Sequence, residues 1–279
     1  MNASLDYCLH LADNALVLGH RNSEWTGHGP ILEQDIALSN IALDLIGQAR
    51  NFYQYAARQV NGRRGDGGEP GKRGVSAGAR VSAGAAAGPG EPEVTEDTLA
   101  YLRDSWDFKN CLLVEQVNGD WAKTILRQFF FSAYQFYFYQ SLQQSQDREL
   151  AAIAEKSYKE VTYHLRWSSE WVIRLGDGTT ESHTRMKGAL DQLWKFTGEL
   201  FVPADYERTL AAKGVAVDVT GLRWLWEERV NDVFQQAQLV IPAAGWEQTG
   251  GKSGRHTEHL GYLLAEMQFL QRAYPGCEW

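Results

Sequence analysis

The segment FFFSAYQFYFY at Phe129–Tyr139 constrains the fold of this chain most. It lies within a helix predicted to run from just after Asn118-Gly119 to about Gln144. Aromatic side chains on every side of a helix require burial on most sides, which neighbouring helices must supply. We therefore expect a central helix inside a helical bundle. A platform that stacks nucleic-acid bases would need interleaved Lys or Arg, and neither occurs between Arg127 and Arg148.

The spacing of apolar residues predicts helices on both sides of this segment and no strands. A first helix is expected from Ser4, as its N-cap, to Arg21, and a second from about Pro30 through the late fifties. A fourth, after the aromatic one, covers Ala151–Leu175, where Trp167 and Trp171 are expected to stack at i and i+4. Further helices are expected at about Thr180–Leu200, Pro203–Lys213, Val219–Leu239 and Arg255–Tyr274. The prediction is an all-α fold, a four-helix bundle with additional C-terminal helices.

Residues 61–94 differ in composition from the rest of the chain. They contain no Leu, Ile, Phe, Tyr or Trp and are dominated by Gly, Ala, Arg, Ser and Pro. Such a segment cannot bury enough apolar surface to offset about 1 to 2 kcal/mol of ordering entropy per residue. Helical, aromatic sequence continues on both sides of it. We therefore predict a flexible surface insertion within a single domain that covers residues 1–279.

The composition excludes several classes of function. A formal net charge of −8 and a pI near 5.4 argue against a nucleic-acid partner, because such a partner requires a broad basic surface. The start of the chain has no basic residue before its apolar positions, so we expect no normal secretory signal. No apolar run reaches the ~18 residues that a membrane span needs, so we expect no transmembrane helix. Cys8, Cys111 and Cys277 cannot all pair and show no Cys-x-x-Cys spacing, which favours a reducing cytoplasm.

Two of the predicted helices carry half of a metal-binding pattern. In di-iron helix bundles, two helices each supply a Glu-x-x-His pair and two others each supply a single carboxylate. Here Glu160 is followed three residues later by Tyr163, and Asp44 three residues later by Gly47. His164 lies about 100° further round its helix than Tyr163, so we expect it to point away from the face of Glu160. The pattern indicates a lost metal site, although an ordinary core face with one paired Asp44 fits the second helix equally well.

Two further motifs are weaker. TGGKSG at Thr249–Gly254 lacks the first glycine of a phosphate loop, because Trp246 occupies that position, and no strand precedes it. His256 and His259, at i and i+3, could hold a metal only together with other ligands. We expect these histidines to cap a helix start and to make surface contacts.

Three long segments resemble one family. They are HRNSEWTGHGPILEQDIALSNIALDLIGQARNF at His20–Phe52, LLVEQVNGDWAKTILRQFF at Leu112–Phe130, and TGGKSGRHTEHLGYLLAEMQFLQRAYPG at Thr249–Gly276. They closely resemble the C subunits of bacterial phenylacetyl-CoA epoxidases. The resemblance implies a ferritin-like fold and a cytoplasmic multicomponent monooxygenase that epoxidises the ring of phenylacetyl-CoA in aerobic phenylacetate degradation. It also implies a related catalytic subunit that holds the di-iron centre, a reductase that delivers electrons from NADPH, and a structural role for this subunit.

The resemblance can be carried over to the ligand positions residue by residue. The lone carboxylates of the catalytic relatives fall near Asn14 and Phe130, and neither residue is acidic. No Asp or Glu occurs from Trp121 through Gln146 either. Of the six expected ligand positions, only those of Asp44 and Glu160 remain acidic. We therefore expect no catalytic, cofactor-binding or metal-binding residue in this chain, and a hetero-oligomer with the catalytic di-iron subunit.

Two alternatives remain open. The chain could be a ferritin-like oxidase with its own atypical metal site, formed by Asp44, Glu160 and His164. It could also be a non-enzymatic helical scaffold that associates with itself and binds no acyl-CoA. The metal content of the purified chain tests the first alternative, and co-purification with a catalytic partner tests the second.

Overall fold

The computed structural model describes residues 2–66, 93–243, 245–275 and 277. Within these ranges the chain forms α-helices joined by short 3-10 turns and loops, with no strand, which confirms the predicted all-α fold. The helices are α1 (Ala3–Ser23), α2 (Leu32–Asp66), α3 (Glu96–Tyr101), α4 (Leu112–Glu115), α5 (Trp121–Leu142), α6 (Arg148–Gly176), α7 (Thr180–Leu193), α8 (Asp205–Ala211), α9 (Arg223–Gln236), α10 (Glu258–Met267) and α11 (Phe269–Ala273). None of the helices in the described ranges is both long and apolar enough to cross a membrane.

Helix α5 is the central helix, as its aromatic residues predict. It packs along α6 and is covered further by α7 and α9. Phe129, Phe130 and Phe138 are fully buried, and the Phe130 ring lies 5.6 Å from the Trp226 ring of α9. The indole N–H of Trp226 also donates a 2.9 Å hydrogen bond to the Phe130 carbonyl. Aromatic packing on all sides of α5 therefore joins the C-terminal helices to the bundle.

The four long helices α1, α2, α5 and α6 form the bundle. Helix α1 packs along α2, α5 packs along α6, and α2 also contacts α6. Helix α2 runs antiparallel to α6, because its successive residues meet α6 residues of decreasing number. Gln34 accepts from Trp171, Asp44 meets His164, Gln48 donates to Glu160, and Arg58 reaches Glu149. Polar side chains thus line the α2–α6 contact, whereas the main core cluster is apolar.

Several helix ends differ from the predicted ones. Helix α1 begins at Ala3 with Asn2 as N-cap, so Ser4 lies inside the helix, and the Asn2 side chain makes no capping bond. The expected last helix is divided at Gln268, whose side chain turns inward to donate to the carbonyls of Ala100 and Arg103. These ends depend on tertiary contacts that local sequence does not encode.

The predicted insertion at residues 61–94 begins later than expected. Helix α2 continues to Asp66, so its last turns enter that segment. Asn61 then joins the two ends, because its side chain donates to the Val94 carbonyl at 2.8 Å and accepts from the Val94 N–H at 3.1 Å. The remainder of the predicted insertion, residues 67–92, lies outside the described residues.

Trp167 and Trp171 of α6 both pack against Trp121 of α5. Their rings stand nearly perpendicular to that of Trp121, with centroids 6.0 and 5.5 Å away. Both indole N–H groups donate to the same Gln34 side-chain oxygen, at 2.9 and 2.6 Å. The predicted i, i+4 stacking is therefore replaced by a shared edge-on partner and a shared hydrogen-bond acceptor on α2.

Candidate functional site

Asp44 and Glu160 are the two acids that remain at the expected ligand positions, and they are called here the remnant acids. They lie on facing helices, and each is paired with a side chain of the other helix. The Oδ2 atom of Asp44 on α2 is 2.9 Å from Nε2 of His164 on α6. One helical turn away, the Nε2 amide of Gln48 donates a 2.9 Å hydrogen bond to Oε2 of Glu160. These two bridges are called here the 44–164 rung and the 48–160 rung. Together they connect α2 to α6.

The orientation expected for His164 is wrong. Its ring is buried and turned toward α2, whereas Tyr163, expected beside Glu160, is exposed. The reason is that Glu160 and His164 are four residues apart and share a helix face, which here is the face that packs on α2. Of the residues of the alternative metal site, the structure therefore brings His164 to Asp44 and leaves Glu160 with Gln48.

Helix α5, which has no acidic residue, contributes neutral groups to this region. The Tyr139 hydroxyl donates to Oε1 of Gln48 at 3.0 Å, and the Gln135 amide approaches the same atom at 3.5 Å. The side-chain oxygen of Gln48 thus accepts hydrogen bonds from α5, and its side-chain nitrogen donates one to Glu160. The 48–160 rung is a chain of neutral hydrogen bonds that ends on a single carboxylate.

The electrostatics of the rungs are incompletely balanced. Burial raises the pKa of Glu160, and the charge of nearby Asp44 raises it further, while the Gln48 hydrogen bond and the charges of Lys156 and His164 oppose the shift. The Asp44 side chain stays 38% exposed, so water still reaches that carboxylate. Within the described residues, Nδ1 of His164 has no hydrogen-bond partner. The geometry therefore holds two carboxylates close together with little cationic compensation.

The donor set does not fit a di-iron centre. Gly47 and Tyr163 supply no imidazole, Asn14 binds the Cys111 amide at 2.8 Å, and Phe130 packs in the aromatic core. A pair of irons requires carboxylates from four helices together with two histidines. In the part of the chain that the structure describes, no group of three or more His, Cys, Asp or Glu side chains is arranged to hold a metal ion. No step through a metal is therefore assigned to this chain.

The buried acid of α1 is Asp13, which belongs to none of the motifs described above. Its carboxylate is fully buried and accepts from the Arg103 guanidinium, from the Tyr53 hydroxyl at 2.5 Å and from the Lys109 amide at 2.8 Å. Burial lowers the pKa of Arg103, but the charge and hydrogen bond of Asp13, together with Tyr53 and Asp107, raise it above its usual value. A charged residue among the buried positions of an apolar helix is the signal that could have identified this pair.

A second unexpected pair joins Glu115 of α4 to the loop before α10. Oε2 of Glu115 is 2.8 Å from Nδ1 of His256, and Oε1 accepts from the Thr257 amide and hydroxyl. The other His256 nitrogen is 2.9 Å from the Phe108 carbonyl. Burial lowers the pKa of His256, yet the hydrogen bond and charge of Glu115 raise it above its usual value. The expected surface role of His256 is wrong, because the side chain is buried in an ion pair.

The lysine of TGGKSG also has a structural role. The buried Lys252 ammonium lies 3.1 Å from Oε2 of Glu207 and donates to the Leu200 carbonyl at 3.2 Å. Gly251 passes so close to the chain at Asn110 that an added Cβ would lie 2.3 Å from that carbonyl oxygen. The loop is packed against the core, and its lysine is committed to a carboxylate of α8.

Comparison with known proteins adds the family. The family described as phenylacetic acid catabolic protein matches residues 1–279. The C subunit of 1,2-phenylacetyl-CoA epoxidase from Escherichia coli (strain K12) is 46% identical over 279 residues, which cover 100% of each chain. The resemblance drawn from the three long sequence segments is confirmed.

Proposed function

The chain belongs to the phenylacetic acid catabolic protein family, and on that premise we propose that it is the structural subunit of a phenylacetyl-CoA epoxidase. Full-length similarity to the C subunit of such an enzyme supports membership of that complex. In this role the chain assembles with a separate catalytic subunit that carries the di-iron centre. Electrons come from NADPH through a reductase, and oxygen transfer to the ring takes place in the partner.

One observation carries the non-catalytic assignment: both remnant acids are already engaged by side chains of this chain. Asp44 is bridged to His164, and Glu160 is bridged to Gln48. Ligands of a di-iron pair must instead converge on a common point between the helices. The rungs make these residues part of the α2–α6 packing, so the proposed task of this region is to hold the two helices in register.

The oxidase alternative rests on one specific feature, the approach of His164 to Asp44. An imidazole and a carboxylate side by side are two of the donors that an oxygen-activating metal uses. Iron analysis of the purified chain tests this alternative directly. We expect well under one iron per chain, and a stoichiometric di-iron signal would refute the structural assignment.

The decisive experiment measures turnover by the assembled complex. Asp44→Asn and Glu160→Gln keep shape and most hydrogen bonding, so each should change stability by about 1 to 3 kcal/mol at most, or raise it where the charge is poorly compensated. Epoxidation of phenylacetyl-CoA, normalised to catalytic subunit, should stay near wild type. Loss of a true ligand or base lowers a rate by ~100-fold or more.

Glu155→Gln provides the matched control, because Glu155 lies on the same helix and is solvent-exposed. Size-exclusion chromatography of each reconstituted complex confirms that assembly is intact. If Asp44→Asn or Glu160→Gln abolishes turnover in a fully assembled complex while Glu155→Gln does not, this chain takes part in the chemistry.

A further inference from the structure

Residues 250–273 are called here the C-terminal segment, which contains the 3-10 turn Gly251–Ser253 and the helices α10 and α11. The described residues between the end of α9 and this turn form an irregular loop, on which Glu247 makes an exposed ion pair with Arg223. Loop residues can absorb the backbone rotations that accompany the motion of a packed element. The connection to α9 therefore does not by itself hold the C-terminal segment in place.

Backbone hydrogen bonds join the parts of the C-terminal segment to one another. The Gly250 carbonyl accepts from the amides of Ser253 and Arg255, at 3.0 and 2.9 Å. Between α10 and α11, the Gln268 amide donates to the Leu264 carbonyl at 2.9 Å. Because both partners of each bond belong to the segment, these bonds persist when the segment moves as a whole.

The C-terminal segment is attached to the rest of the protein mainly through buried carboxylates of three other elements. The carboxylates and their donors are Glu199 with the Gly250 amide at 2.7 Å, Glu207 with the Lys252 ammonium at 3.1 Å, and Glu115 with the His256 imidazole at 2.8 Å. Helix α10 buries Leu260, Leu263 and Leu264, and no residue of α11, whose whole length is described, is buried. The attachment therefore combines several polar anchors with a small apolar contact.

This kind of attachment makes opening of the segment less costly than unfolding of the bundle. When the segment separates, the carboxylates and their partners regain hydration, which offsets much of the lost ion-pair energy. The apolar area that opening exposes lies mainly around the leucines of α10, whereas unfolding exposes the whole core. The seated position is nevertheless close-packed, because a Cβ added to Gly254 would lie 2.5 Å from the Trp106 carbonyl oxygen. Close packing favours two discrete positions over gradual loosening.

We propose that the C-terminal segment detaches from the bundle as one cooperative unit while α1, α2, α5 and α6 remain folded. Opening of this kind is a local unfolding with a free energy below that of global unfolding. It transfers the carboxylates of Glu115, Glu199 and Glu207 from burial into water. It also uncovers the Asn110 carbonyl, on which Gly251 is seated. The proposal concerns this chain alone and is independent of the proposed function.

The test is native-state hydrogen exchange of the full-length chain, measured by mass spectrometry at urea concentrations below the unfolding transition. Peptides that cover residues 250–257 and 258–273 should exchange with one shared free energy of opening and one shared urea dependence, both smaller than those of α5. If these peptides match α5 in both quantities, the segment opens only by global unfolding and the proposal is wrong. Two different urea dependences within the segment would also overturn it, because they indicate separate fraying of its parts.

Two mild substitutions at opposite ends of the segment test whether it opens as one unit. Tyr206→Phe removes the hydroxyl that donates to the Lys252 carbonyl at 3.1 Å. Gln268→Met removes the amide that donates to the carbonyls of Ala100 and Arg103. Each substitution should accelerate exchange about 3-fold to 10-fold throughout the segment, including the end remote from the change. Acceleration confined to the peptide that contains or contacts the substituted residue contradicts a cooperative unit.

Tyr55→Phe is the matched control within the bundle, because it removes a hydroxyl that donates to the Asp147 carboxylate at 2.6 Å. This bond is kept when the C-terminal segment alone opens and is lost in global unfolding. The control should therefore accelerate exchange in α5 and leave the segment at its wild-type rate. Equal acceleration of α5 and the C-terminal segment would show that the two open together, which overturns the proposal.

Discussion

Replacing Arg103 by Leu should destabilise the protein more than any surface change. The substitution leaves the Asp13 carboxylate buried without its cationic partner, and it removes donors from the carbonyls of Leu99 and Asp107. Breaking a buried ion pair from one side costs about 3 to 5 kcal/mol. Asp13 keeps the Tyr53 and Lys109 donors, while two carbonyls lose theirs, so we expect about 4 kcal/mol. That is a large fraction of a typical unfolding free energy of about 5 to 15 kcal/mol.

Urea denaturation followed by circular dichroism measures this loss, with the slope of the transition checked for two-state behaviour. Arg50→Leu is the control, because Arg50 also pairs with a carboxylate, that of Glu96, but is largely exposed. It should cost less than about 1 kcal/mol.

A double variant separates the charge from the packing. Adding Asp13→Asn to Arg103→Leu removes the uncompensated charge, so the double variant should be more stable than Arg103→Leu alone by at least about 1 kcal/mol. Additive losses, or a loss below about 1 kcal/mol for Arg103→Leu, would refute the claim that this pair is buried and mutually compensating.

Two other predictions concern His256 and the insertion. The raised pKa of His256 means that its ion pair with Glu115 stabilises the fold fully below the unfolded pKa of about 6.5 and that this contribution is lost as pH rises through the folded value. His256→Gln should therefore destabilise the protein more at pH 6 than at pH 9 in parallel urea titrations, and an equal loss at both values would contradict the ion pair. Replacing residues 67–92 by a short Gly-Ser linker should shift the melting temperature by only a few degrees, because loop-closure entropy varies slowly with length and Asn61 still fixes Val94. A large shift, or loss of partner binding, would show that the segment packs against the bundle or its partner.

The central position of α5 could be predicted because it depends on local composition alone. A helix with aromatic residues all round it has only one stable environment, whatever packs on it. The absence of acids in that helix likewise excluded a carboxylate ligand from α5, whose Gln135 and Tyr139 contact Gln48 instead. The residue pattern of α5 alone was therefore sufficient to predict its position.

The buried ion pairs could not be predicted because their partners are far apart in the chain. Asp13 and Arg103 are 90 residues apart, and Glu115 and His256 are 141 apart. Only the packing of several elements brings such groups together, and single-sequence periodicity contains no information about that pairing.

The direction of the His164 side chain could be predicted only in part. The angle between Tyr163 and His164 follows from helix geometry, but which of the two faces α2 depends on how the helices meet. The i, i+4 spacing of Asp44 with Gln48 and of Glu160 with His164 is visible in the sequence and places each pair on one helix face, but it does not show which helix that face meets. The i, i+3 spacing of metal ligands points to Tyr163 instead, and the same residues therefore suggested the wrong face.

Gly47 and Tyr163 stand at the two positions where the metal pattern requires an imidazole. Nothing lies within 4 Å of where a Cβ of Gly47 would be, and Tyr163 is exposed and lies beside Arg166. A carboxylate that is withdrawn from water without hydrogen bonds is strongly unfavourable. His164 and Gln48 satisfy both acids within the chain. The rungs therefore keep both acids paired between α2 and α6 at the place where a catalytic relative would hold its metal ligands.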